Sequence, residues 1–154
     1  VSEASQDKTK RKYLTLLKGH KWSHQYSVFY DDLTLSNRLL TDKEAFLQTL
    51  RKQFPGQPFL VRIQTKMGNG RGEKGLQAYL MILTTAQSDV QEVADKSFTS
   101  VMNVKSRKLE GLKPYTIASA IENQRPHDLQ KVFGDVRIKR YSVLNKPMLV
   151  PCAP

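Results

Sequence analysis

Cysteine is almost missing from this chain: Cys152, near the C-terminus, is the only one in 154 residues. A lone thiol can form neither an internal disulfide nor a cysteine-rich zinc site, so a packed core must supply the stability, and a reducing, cytoplasmic setting is expected. Acidic side chains are also scarce, with 14 Asp and Glu against 25 Lys and Arg, for a formal charge of +11. No apolar run approaches the roughly 20 residues that cross a bilayer, and no helical pattern sets a lysine-rich face against bulky apolar residues, so no membrane partner is expected. Val1 to Asp7 is polar and lacks the apolar core of a secretory signal. A start at Val rather than Met fits a trimmed chain or an excerpt of a longer one. Neither a P-loop nor a nucleophile elbow occurs, which leaves nucleotide hydrolysis and serine hydrolase chemistry without a motif.

What is present is a basic chain with enough apolar residues, 39%, for one cored domain. The charge excess points to a polyanionic partner, with nucleic acid first and DNA favoured over RNA. Residues 1–12 end in Lys8-Thr9-Lys10-Arg11-Lys12 and read as a flexible basic arm. Residues 13–145 read as a single α+β domain, and residues 146–154 as a proline-rich tail.

Within the domain, Tyr13 to Leu17 suggests a short strand. Trp22 to Tyr30 suggests a second, with Trp22, His24, Tyr26, Val28 and Tyr30 on one face and Ser23, Gln25, Ser27 and Phe29 on the other. Thr41 to Phe54 predicts a helix opened by the capping box Thr41-Asp42-Lys43-Glu44, with Phe46, Leu47, Leu50 and Phe54 as its apolar stripe. Phe59 to Thr65 and Leu76 to Thr85 predict a hairpin. Ser88, with Gln91 completing a second capping box, opens a helix carrying Val90, Val93, Ala94, Phe98 and Val101. A third helix is expected from Pro114, a short fourth from Pro126 to Phe133 stopped by Gly134, and a last strand from Val136 to Leu144. These elements describe an α+β two-layer sandwich, a mainly antiparallel sheet with helices on one face, ferredoxin-like at its centre.

Two stretches carry the candidate contacts. Lys66 to Gly75 is a glycine-rich tip on the hairpin, where small residues permit close backbone approach and Lys66, Arg71 and Lys74 bring cations. It reads equally as a solvated loop or as a phosphate-contacting finger. On the last strand, Arg137, Lys139 and Tyr141 share a face at a two-residue spacing, beside Arg140, so cations can meet phosphates while a ring stacks on a base. The competing reading is a charged face kept for solubility.

Catalytic signals are sparse. His20 and His24 are four apart, which suits zinc on a helix, but the alternation after Gly19 predicts a strand. Asp31 and Asp32 are adjacent and would point to opposite faces. Asp42, Glu44, Asp89 and Glu92 fall in first helical turns, where carboxylates offset the helix dipole. His127 reads as a surface residue.

The order of elements, followed by Gly75-Leu76-Gln77-Ala78-Tyr79-Leu80-Met81-Ile82-Leu83, resembles the rolling-circle replication initiators of phages and plasmids, the His-hydrophobe-His endonucleases. In that superfamily a strand carries two metal-binding histidines separated by one residue, and a later helix carries a nucleophilic tyrosine. The matching positions here are Gln77 and Tyr79, with Tyr115 where the nucleophile is expected. Phe133 to Ser142 is similar to the glycine- and arginine-containing strand that follows. The histidine pair is replaced, so the divalent ion that would polarise the scissile phosphate has no evident seat. The resemblance therefore implies a fold of the initiator type that grips DNA without cutting it and needs no cofactor, in a replication or mobile-element protein with other replication proteins as possible partners. The expected contacts are Lys66, Arg71, Lys74, Gln77, Tyr79, Arg137, Lys139, Arg140 and Tyr141. The alternatives are an active tyrosine nuclease, with Tyr115 as nucleophile and a metal held by His24 and Asp31, or a basic module binding RNA or an acidic protein.

Overall fold

A computed structural model describes residues 21–70, 73–109, 126–134 and 141–144. The elements in chain order are β1 (His24–Tyr30), a 3₁₀ turn (Leu33–Arg38), α1 (Leu39–Gln53), β2 (Phe59–Gly70), β3 (Glu73–Thr84), α2 (Val90–Ser97), β4 (Met102–Lys108), α3 (Pro126–Phe133) and β5 (Tyr141–Leu144). The strands form one sheet in the order β4-β1-β3-β2-β5, and every neighbouring pair is antiparallel. Two interleaved β-α-β units, β1-α1-β2 and β3-α2-β4, generate the first four positions. That is the ferredoxin-like arrangement the sequence predicts, with β5 added beside β2.

Alternation along the strands decides which residues face the helices. Tyr26, Val28 and Tyr30 of β1, Phe59, Val61 and Ile63 of β2, and Ala78, Leu80 and Ile82 of β3 are all buried and point toward the helices. Phe46, Leu47 and Leu50 of α1 and Val90, Val93 and Ala94 of α2 meet them, recurring at helical spacing. Phe98 closes the cluster edge-on to Tyr30 at 5.9 Å and against Phe46 at 5.5 Å. Leu129 places α3 against the same layer, so the three helices share one side of the sheet. Truncating a fully buried member such as Leu50 to Ala should cost about 2–5 kcal/mol.

Several local expectations need correction. The Thr41 capping box is not used. The chain leaves β1 through Asp32, whose carboxylate accepts from the Thr34 N–H at 3.0 Å, and the resulting 3₁₀ turn passes straight into α1, which has no side-chain cap. The turn's own carbonyls meet that need, since the Leu39 N–H donates to Ser36 O. At α2 the cap is Asp89, accepting from the Glu92 N–H at 3.0 Å, while Ser88 is buried and receives the Gln57 amide. That helix stops at Ser97, and Met102 to Lys108, which had no strand assigned, pairs with β1 along its whole length. The hairpin ladder runs on to Gly70 and Glu73, so most of the glycine-rich tip is strand rather than loop. Helix α3 and its stop are as expected: Gly134, at φ +78, donates to Gln130 O at 2.8 Å. The predicted arm, the Tyr13 strand, the Pro114 helix and the tail lie outside the described residues.

Candidate nucleic-acid interface

The face of the sheet turned away from the helices is made of the alternate residues of each strand. It runs in rows set by the register. Arg107, Gln25, Leu83 and Leu60 share one row; Lys105, Ser27, Met81 and Arg62 the next; Asn103, Phe29, Tyr79 and Gln64 the third. Lys66 and Gln77 follow toward the hairpin tip. The two flanks differ. Leu60, Arg62, Gln64, Met81 and Leu83 are buried, whereas Gln25, Ser27 and Phe29 are half-exposed and Lys105 and Arg107 exposed.

A ring-and-cation cluster occupies the boundary between them. Phe29 of β1 and Tyr79 of β3 are neighbours across the strand pair, by extension of the Val28–Leu80 register. From β2, Lys66 reaches over both: its Nζ lies 5.3 Å from the Tyr79 ring centre and 3.9 Å from that of Phe29. Lys105, on β4, lies 5.6 Å from the same Phe29 ring centre. A cation over an aromatic face is drawn to the ring quadrupole, which holds these flexible lysines at defined places. Partial burial, followed by the repulsion of Lys105, lowers the pKa of Lys66. An incoming phosphate would relieve that repulsion. Burial raises the Tyr79 hydroxyl pKa, with Arg62 opposing, and this hydroxyl donates to Gln64 Oε1 at 2.8 Å, which fixes the ring.

The sequence-based candidates separate here. Lys66 and Tyr79 come together, two positions apart on the same face. Gln77 is covered rather than open to a partner: it is 6% exposed, and its amide donates to Tyr30 O at 2.8 Å. It closes the hydrogen bonding where β1 leaves the sheet, beside the Ser36 hydroxyl that meets the Ala78 N–H. Lys74 lies opposite Asn69 in the hairpin register, and Tyr141 opposite Arg62 on β5. Arg71, Tyr115, Arg137, Lys139 and Arg140 lie outside the described residues.

The metal pair His24 and Asp31 does not form. They stand at opposite ends of β1, on the order of 20 Å apart at a strand's rise per residue, and Asp31 instead accepts from the Asn103 amide at 2.9 Å. Among the described residues no three His, Cys, Asp or Glu side chains gather to hold a metal ion, and no helix is long and apolar enough to cross a membrane.

Sequence reasoning missed Phe29, Lys105 and Arg107. Phe29 was visible as the one aromatic residue on the polar face of β1. The other two were hidden because β4 carries only Met102 and Val104 as apolar positions, too few to stand out as a strand. Comparisons of the chain with protein-family models, with curated proteins and with solved structures gave no match.

Proposed function

We propose that this chain is a nucleic-acid-binding domain of a replication or mobile-element protein. It would hold single-stranded DNA on the half-open flank of the sheet by stacking and phosphate contact rather than by catalysis. The observation that carries this reading is the Lys66–Phe29–Tyr79–Lys105 cluster, in which two rings and two ammonium groups share one accessible surface. Stacking platforms flanked by cations are how single strands are gripped without sequence readout, because every base has a π face and every linkage a charge. Lys74, Arg71, Arg137, Lys139, Arg140 and Tyr141 are the further contacts proposed from the sequence. The net charge of +11 supports the same reading through long-range attraction.

Titration of labelled single-stranded DNA, duplex DNA and single-stranded RNA, followed by fluorescence anisotropy over a range of salt, tests it. Single strands should bind best, and log K should fall by about 0.7 per phosphate neutralised against log salt. Absence of retention at low ionic strength, or an affinity indifferent to salt, would remove the reading.

A further inference from the structure

On the helix-facing side of the sheet, where β1 begins and β4 ends near the start of α2, the fold leaves a cleft of about 550 Å³. We propose that this cleft binds a phosphate monoester carried on a nucleotide.

Ser106 and Lys108 of β4 lie in register beside Tyr26 and His24 of β1 along the sheet side of the cleft, which Arg107, Gln87 and Asp89 also line. Lys108 and Ser106 share the helix-facing side of β4 with the cleft, while Arg107 stands on the opposite face at the sheet edge. Lys108 and Arg107 are exposed and have no ion-pair partner among the described residues, so one cation and a hydroxyl line the cleft with a second cation at its rim. The His24 ring is held rather than loose. Its Nδ1 pairs with Ser23 Oγ at 2.7 Å, and the ring stacks on Tyr26 with centroids 6.2 Å apart and planes 15° from parallel.

Polar groups of a different kind face the cationic end. Asp89 uses Oδ1 to cap α2, and the Gln87 amide is exposed beside it. An acceptor and an amide suit the hydroxyls and carbonyls of a sugar and base, whereas the cations suit a dianion. The volume is more than a bare anion fills and falls within the range of small-molecule sites. Arg107 also borders the open face of the sheet, so a strand lying there could turn its terminus over the β4 edge into the cleft. A phosphorylated strand end and a free nucleotide present the same chemistry. The strand-end form rests on the nucleic-acid reading above, and the free-nucleotide form does not.

The test uses the full chain and two series of probes. In the first, a 5′-phosphorylated oligothymidylate, its 3′-phosphorylated isomer and a longer unphosphorylated oligomer of equal total charge are compared at fixed salt. One phosphorylated end should bind on the order of tenfold more tightly than the charge-matched control, the worth of a charge-assisted contact. Lys108→Gln and Ser106→Ala should erase that difference while leaving the unphosphorylated oligomer's affinity unchanged. In the second series, thymidine 5′-monophosphate is titrated while the His24 ring resonances are followed by NMR. A saturable shift that Lys108→Gln weakens supports the site, and does so even if no oligonucleotide binds and the reading above fails. The proposal is overturned if charge-matched oligomers bind alike and His24 does not respond to the monophosphate. It is also overturned if a preference for the phosphorylated end survives both substitutions.

Discussion

Lys66 and Phe29 meet across the whole width of β3: the ammonium of a residue on β2 rests 3.9 Å from the ring centre of a residue on β1. The contact fixes a charge beside an aromatic ring, and under the proposed function one nucleotide would use both. Phe29→Leu should preserve the half-buried apolar volume and remove the ring. Single-strand affinity should fall by roughly 5- to 100-fold, the worth of about one base–aromatic stack. Lys66→Met should instead reduce the salt slope by about one phosphate's share. Anisotropy titrations of both variants at several salt concentrations separate the two effects, and equal losses in slope and affinity would speak against the division of labour.

A second prediction concerns alkaline pH. Tyr30 is fully buried and its hydroxyl donates to the Asp42 carboxylate, linking β1 to α1. Burial first, and then the hydrogen bond and charge of Asp42, push the tyrosine far above its usual range, with Arg38 pulling weakly the other way. A raised pKa in the folded state means that the unfolded chain releases this proton first. The stabilisation is thus complete below about pH 10, the ordinary tyrosine value, and declines as pH rises beyond it. Urea unfolding between pH 8 and 11 should show that decline. Tyr30→Phe should lower stability at neutral pH by about 1–3 kcal/mol and flatten the alkaline slope.

Gln77 provides a test of structure against binding. Because its amide meets a backbone carbonyl at the end of β1, Gln77→Met should leave that acceptor unsatisfied and cost about 1–3 kcal/mol in denaturant unfolding. Oligonucleotide affinity of the folded variant should stay within about twofold of the parent, less than half of one tenfold step in the affinity scale. A tenfold loss of binding with unchanged stability would return Gln77 to the interface.

The helix starts can be compared directly. Asp89→Ala removes the acceptor of the Glu92 N–H and should destabilise by about 1 kcal/mol. Thr41, exposed inside α1 rather than at its cap, should tolerate Ala with no loss, since Ala is the better helix former. Thermal or urea unfolding of the two variants side by side reads the difference.

Much of the architecture is written in local pattern. The alternation of Tyr26, Val28 and Tyr30, the apolar stripe of Phe46, Leu47 and Leu50, and the stop at Gly134 each reflect a period or a backbone preference that a short window contains. From them follow the strands, the helices and the α+β sandwich. The net positive charge is likewise a sum over residues that folding does not alter. Caps and edges were less legible, because a cap depends on what precedes the helix. Thr41 has the right chemistry at a place where the 3₁₀ turn has already met the need.

What folding alone decided is adjacency between strands. Lys66, Phe29, Tyr79 and Lys105 come from four different strands and share a surface only because β1, β3 and β2 stand side by side with β4 at the edge. The same register sent Gln77 to the Tyr30 carbonyl. The physical reason is that pairing between strands is set by burial of the whole helix-facing layer. The residues of the other face inherit their neighbours from that choice rather than from their own sequence.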